Sequence, residues 1–257
     1  GTADAPVGVI AVDLFGQPAR YDRIEALCAD AGLWLVEDAA QAFGGALGDR
    51  RCGTFGTIAT TSFFPAKPLG CYGDGGACFT EDDELAERLR SIRVHGQGRD
   101  KYDNVRIGIN GRLDTLQAAV LLAKLDVFDE ELAARQRVAD RYGERLASRG
   151  VPVVAPVRAP DARSAWAQYT VRCADRTALQ AACAAAGVPT AIYYEKPVHR
   201  QAAYADGCLV PLPLPEAERA SAQVLSVPMH PYLEEDDIER VVAALAAGEE
   251  GAARRAP

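Results

Sequence analysis

VGVIAVDLFGQPARYDRIEALCADAGLWLVED, residues 7–38, is the stretch whose reading decides the fold. Its start, Val7 to Val12, is an apolar run without alternation, the pattern of a strand buried on both faces. Apolar residues then recur at helical spacing through Arg20–Ala31, and Leu33–Val36 is a second apolar run that ends on Glu37 and Asp38. Strand, helix and strand in this span make a βαβ unit, which calls for a parallel sheet covered by helices.

The same punctuation continues downstream. Gly48-Asp49 and Gly53 to Gly56 mark a hairpin, and a third strand near Ile58–Phe63 leads into Pro65-Ala66-Lys67-Pro68-Leu69-Gly70. Gly73-Asp74-Gly75-Gly76 reads as a turn and Ala77–Thr80 as another strand. A helix is expected from Asp82 to Arg93 with its cap near Thr80 or Glu81, another from Asp114 to Asp129, and a third running to Arg149, where Gly150 stops it. After Gly150 prolines recur at 152, 156 and 160. Short strands (Val151–Val154, Gln168–Arg172, Thr190–Tyr194) there alternate with helices at Thr177–Ala186 and Glu234–Ala247. Two domains are therefore expected, residues 1–150 and a smaller α/β domain over 151–257.

The composition is that of a globular protein, 49% hydrophobic and 25% charged, and the net charge of −8 argues against nucleic-acid or anionic-membrane partners. Seven cysteines, an odd number without a CxxC pair, point to free thiols in a reducing, cytoplasmic setting. The three histidines are far apart and not interleaved with cysteine, so no metal site is expected.

Two residues carry candidate chemistry. Pro68 disfavours helical geometry at Lys67, which places the lysine on an extended turn after a buried strand, a setting suited to a Schiff-base nucleophile. Read alone, Lys67 fits a surface lysine in a polar loop better than a nucleophile. Asp38 stands at the carboxyl end of a parallel strand, where open α/β sheets place their ligands. Read alone, it is a turn or helix cap. A dinucleotide fold loses its support because Asp13-Leu14-Phe15-Gly16-Gln17-Pro18 lacks the G-x-G-x-x-G turn.

Taken in order, Leu14-Phe15-Gly16-Gln17, Glu37-Asp38-Ala39-Ala40-Gln41-Ala42, Thr61-Ser62-Phe63-Phe64-Pro65-Ala66-Lys67-Pro68, Gly73-Asp74-Gly75-Gly76, Asn110-Gly111-Arg112-Leu113-Asp114 and Pro228-Met229-His230-Pro231 closely resemble the DegT/DnrJ/EryC1/StrS family of sugar aminotransferases. The resemblance implies a fold-type I transferase dependent on pyridoxal 5'-phosphate (PLP), with a mostly parallel sheet in the large domain and a small C-terminal α/β domain. It implies that Lys67 holds the cofactor and shuttles protons, that Asp38 pairs with the pyridinium nitrogen, that Gln41 touches the ring near its phenolic oxygen, and that Ser62 binds the phosphate. Asn110 would reach the phosphate of the neighbouring subunit, which implies a homodimer with shared active sites. Arg112 is a candidate for a sugar or donor carboxylate, or else a helix-start arginine paired with Asp114; His199 is a candidate for the sugar, or else a solvated loop histidine. The stretch from Phe63 to Gly76, with Ala167-Gln168-Tyr169-Thr170, looks most like enzymes that aminate a UDP-2-acetamido-3-oxo-hexuronic acid, with glutamate as donor by analogy. The family's phosphate-gripping loop and further strands would precede Val7, so the chain is expected to be part of a longer polypeptide. Two other readings stay open: a non-catalytic PLP-binding regulator of the same family, and a nucleotide-binding α/β module without Schiff-base chemistry.

Overall fold

The computed structural model describes residues 5–204, 209–210 and 212–253; Gly1–Asp4 and Cys208 lie outside them. The chain forms two compact units. One comprises the residues up to Ala133 with Arg158–Ala167, the other Ala134–Val157 with the residues from Gln168 onward. The division falls inside the helix that Gly150 terminates rather than at Gly150 itself, because one uninterrupted helix contributes to both units.

In the first unit β1 (Gly8–Val12), α1 (Tyr21–Ala31) and β2 (Trp34–Asp38) are the βαβ unit read from the sequence, with Gly8 opposite Trp34 through Val12 opposite Asp38 in a parallel pair. β3 (Ala46–Leu47) and β4 (Arg50–Arg51) form the punctuated hairpin. β5 (Ile58–Ser62) runs parallel to β2, and β6 (Gly76–Phe79) runs antiparallel to β5, giving the order β1-β2-β5-β6. α2 (Asp83–Arg93) is capped by Asp82, whose carboxylate accepts from the Leu85 amide, and not by Thr80 or Glu81. α3 (Thr115–Leu125) ends earlier than expected, and a break at Asp126–Val127 precedes α4 (Phe128–Ser148). Gly150 stops α4 with φ +61°, the left-handed geometry that favours glycine. β7 (Ala162–Arg163) pairs with β3.

The α1 side of the sheet buries Ala11, Leu35, Cys28, Tyr21 and Phe55, the last two stacked with ring centres 4.2 Å apart. A second cluster of Phe63, Leu69, Cys71, Leu121 and Phe128 seals the segment after β5. Each such large side chain contributes about 1.5–3 kcal/mol by leaving water. Among the described residues β1 pairs only with β2, and Ile10 and Val12 are exposed.

In the second unit β8 (Tyr169–Arg172) pairs antiparallel with a strand the sequence reading did not anticipate, β9 (Val224–Val227); between them lie α5 (Arg176–Ala185) and α6 (Pro215–Gln223). α7 (Glu235–Ala253) packs on α5 around Leu179, Ile238 and Leu245. Val151–Val154 and Thr190–Tyr194, expected as strands, supply only single bridges, Val154 to Arg172 and Ala191 to Ser226. Pro152, Pro156 and Pro189 remove the amide donors that a longer ladder would use. No helix among the described residues is long and apolar enough to cross a membrane.

Candidate active site

Because β2 and β5 are parallel, Asp38 and Ser62 end their strands at the same edge of the sheet, the carboxyl edge where α/β folds bind ligands. Side chains alternate along β2, so Leu35 and Glu37 enter the α1 core while Val36 and Asp38 face the other way, half-buried. One carboxylate oxygen of Asp38 accepts from the Ala40 amide at 3.1 Å. Gln41, buried just beyond β2, accepts the Phe15 amide on Oε1 at 2.6 Å, which joins the turn after β1 to the same edge and leaves its Nε2 to donate elsewhere. The Ser62 hydroxyl accepts from the Phe64 amide at 3.2 Å and keeps its own proton to give.

Lys67 sits on a turn closed by its own amide, which donates to the Phe64 carbonyl at 2.9 Å. Its amine makes no hydrogen bond or ion pair among the described residues. Partial burial holds it below the ordinary lysine range, and the charge of Asp38 pulls it part of the way back. A lysine with a weakened hold on its proton, close enough to an aspartate to feel its charge, is prepared to act as an amine nucleophile. Lys67, Asp38, Gln41 and Ser62 thus bring an amine, a carboxylate, an amide donor and a hydroxyl to one edge. Each retains hydrogen-bonding capacity unused by the fold. That donor set fits a flat cofactor carrying an aldehyde, a protonated ring nitrogen and a phosphate.

Asn110 and Arg112 lie exposed between α2 and α3, and the Arg112 Nε donates to the Asn110 amide oxygen at 3.0 Å. Asp114 caps α3 through the Leu116 amide. His199 belongs to the second unit, where its Nε2 lies 2.9 Å from Glu218, a carboxylate that Arg200 also engages. A cleft of about 880 Å³ lined by Phe63, Ala77, Leu89, Ile92 and Leu113, with Glu81, Arg90 and Arg93, contains neither Lys67 nor Asp38.

The sequence reading missed a buried acid pair behind this edge. Glu37 is fully buried, its two oxygens accepting from the Gly53 and Phe55 amides at 2.7 and 2.9 Å. Asp13, also fully buried, accepts from the Ala19 amide and the Tyr21 hydroxyl on Oδ1, while its Oδ2 has no donor. Ligand atoms of Asp13, Glu37 and Cys52 lie within 4.8 Å of one another. Burial raises both carboxyls, Glu37 to about 8, and a proton held on Glu37 would supply the donor that Asp13 Oδ2 lacks. The signal in the sequence was an acid at an inward position of an otherwise apolar strand.

A stability prediction follows with its sign. A carboxyl that holds its proton more tightly in the folded chain contributes fully below its ordinary value of 4.5, and the contribution is lost as pH rises toward about 8. Denaturation midpoints should therefore fall between these limits. Asp13→Asn puts an amide donor where Oδ2 stands and removes the need for the proton, so that slope should flatten. An unchanged slope in Asp13→Asn would contradict the shared proton.

The chain matches the profile of the DegT/DnrJ/EryC1/StrS aminotransferase family over residues 4–246. It is 49% identical over 237 residues to a UDP-2-acetamido-2-deoxy-3-oxo-D-glucuronate aminotransferase of Pseudomonas aeruginosa, covering 92% of this chain and 64% of that enzyme. The structure superposes on a DegT/DnrJ/EryC1/StrS aminotransferase from Brucella abortus with a TM-score of 0.88 at 51% identity, over 92% of this chain and 62% of that one. It superposes equally, with a TM-score of 0.88 at 41% identity, on DesV of S. venezuelae, solved with a ketimine intermediate, over 97% of this chain and 66% of that one. The chain spans just under two thirds of the length of the curated relatives it matches. The fold is that of the fold-type I PLP-dependent transferases.

Proposed function

Because this chain belongs to the DegT/DnrJ/EryC1/StrS aminotransferase family, we propose that it carries the lysine-bearing part of a PLP-dependent site that aminates a keto group on a nucleotide-linked sugar. The observation that carries this reading is Lys67: an amine of lowered basicity, without a partner among the described residues, on a closed turn at the carboxyl edge and within the charge influence of Asp38.

Pyridoxal phosphate, when bound, supplies an aldehyde for amine exchange and a ring that takes up the electrons released at the substrate carbon. Lys67 Nζ would hold the group as its nucleophilic amine and would serve as the base that moves a proton at the reacting carbon. Asp38 would hold a proton on the ring nitrogen by its negative charge. Gln41 Nε2 would donate to the ring's phenolic oxygen, and the Ser62 hydroxyl to the phosphate. Asn110 serves the neighbouring subunit's phosphate in a homodimer. Arg112 offers a planar fork for a carboxylate, and His199 contacts the sugar. The keto-sugar is a UDP-2-acetamido-3-oxo-hexuronate, after the substrate named for the P. aeruginosa relative, and glutamate is the amino donor. The setting is the cytoplasm, with neither nucleic acid nor membrane as partner.

The test mixes the pyridoxamine form of the full-length enzyme with the 3-oxo-uronate and with its analogue lacking the carboxylate, and follows the return of the visible band. The uronate should react. Arg112→Lys keeps the charge but loses the paired donors, so it should lose about 1.5–3 kcal/mol on the uronate and nothing on the analogue. Equal losses on both substrates would contradict the contact with the sugar acid. No reaction with the uronate would contradict the substrate.

A further inference from the structure

The turn that carries Lys67 is closed by its own backbone. The Phe63 amide donates to the Gly75 carbonyl and the Cys71 amide to the Phe63 carbonyl, each at 2.8 Å. Onto this closed turn α3 presents Gln117, Leu121 and Lys124, spaced so that all three lie along one side of the helix. The Gln117 amide satisfies both polar groups of the Tyr72 backbone: Oε1 accepts the Tyr72 amide at 2.7 Å, and Nε2 donates to the Tyr72 carbonyl at 3.4 Å. Leu121 is buried with Leu69 and Cys71. The Lys124 ammonium donates to the Gly70 carbonyl at 2.6 Å and lies 5.3 Å from the centre of the Tyr72 ring. Gly73 admits this grip, since a Cβ there would stand 3.1 Å from the Gln117 Nε2.

We infer that Gln117 and Lys124 are positioning residues for Lys67: they fix the segment from Gly70 to Gly73, and through it the place of the lysine amine, without touching cofactor or substrate. The inference rests on the reading of Lys67 as the cofactor lysine. Its physical content is that a nucleophile on a turn is only as well placed as the turn, and a displacement of an ångström is expensive in rate. α3 also continues directly from the segment bearing Asn110 and Arg112, so one helix anchors both the lysine turn and the segment proposed to serve the neighbouring subunit.

The test uses the full-length enzyme loaded with pyridoxal phosphate and the variants Gln117→Ala, Gly73→Ala, Lys124→Met and Lys124→Arg. Two quantities are measured: kcat and KM for both substrates, and the midpoint of the pH titration of the cofactor's visible band, which reports ionisation at Lys67. Gln117→Ala and Lys124→Met should lower kcat by about tenfold or more. Their KM values should stay within about twofold, because substrate contacts are untouched. Both should displace the titration midpoint, Gly73→Ala should do the same by pushing the amide away, and Lys124→Arg should restore most of the loss. Unchanged kcat and midpoint in Gln117→Ala and Lys124→Met would overturn the inference. So would a raised KM with kcat and midpoint unchanged, which would mean a substrate contact. Should Gln117→Ala fail to fold, Gly73→Ala and Lys124→Met carry the same measurements. A wild-type enzyme without a Lys67-linked band would overturn the cofactor reading itself, and this inference with it.

Discussion

Lys67→Ala should abolish turnover while the protein stays folded. The side chain is half-buried on a closed turn and makes no ion pair among the described residues, so its removal takes nothing from the fold's hydrogen bonding. On the proposed reading it removes the amine that exchanges with the substrate's amine and serves as proton carrier. A loss of at least about 10⁴-fold is expected, about 5.4 kcal/mol of barrier. Cofactor should still bind through Asp38, Gln41 and Ser62, but without covalent attachment. Steady-state rates with purified Lys67→Ala decide the point. Turnover near that of the parent enzyme would remove Lys67 from the mechanism.

The second large effect is expected from Asp38→Asn. Asparagine preserves the shape and still accepts the Ala40 amide that Asp38 accepts at 3.1 Å, so the local turn survives. What it loses is the negative charge that, on the proposed reading, would keep the ring nitrogen protonated, and with it the pull on electrons from the substrate carbon. Removing one such electrostatic partner typically costs about 10²-fold to 10³-fold. The rate of the glutamate half-reaction, followed by the visible band, measures it directly. The thermal midpoint should barely move. A half-reaction within about threefold of the parent, some 0.6 kcal/mol, would mean that the carboxylate has another role.

What was legible in the sequence depended on how continuous each signal was. The βαβ unit over residues 7–38 could be read because its apolar runs are unbroken and its helix shows a clean period. From it the carboxyl edge and the place of Asp38 on it followed, whereas Ser62 was named only through the family resemblance. β9 and α6 escaped because Val224–Val227 is short and Pro215–Gln223 lacks large apolar residues, so neither carries a period of its own. Val151–Val154 shows the converse: β-branched residues promised a strand, and flanking prolines limited it to a bridge. The acid pair was hidden because Glu37 stands at the end of an apolar run, where an acid reads as the strand's exit to solvent. Only the alternation along β2 turns it into the core beside Asp13. The grip of α3 on the lysine turn was hidden for a different reason. Gln117 and Lys124 are unremarked polar positions on a helix until the path from Gly70 to Gly73 is known.

The most direct measurement of the central claim is a map of the covalent attachment. The full-length enzyme, incubated with pyridoxal phosphate, is reduced with borohydride, digested, and its peptides weighed. The account predicts one pyridoxyl group per chain, carried by Lys67 in the peptide containing Phe63-Phe64-Pro65-Ala66-Lys67, and none on Lys101, Lys124 or Lys196. A label on another lysine, or none at all on a folded enzyme saturated with cofactor, would contradict it.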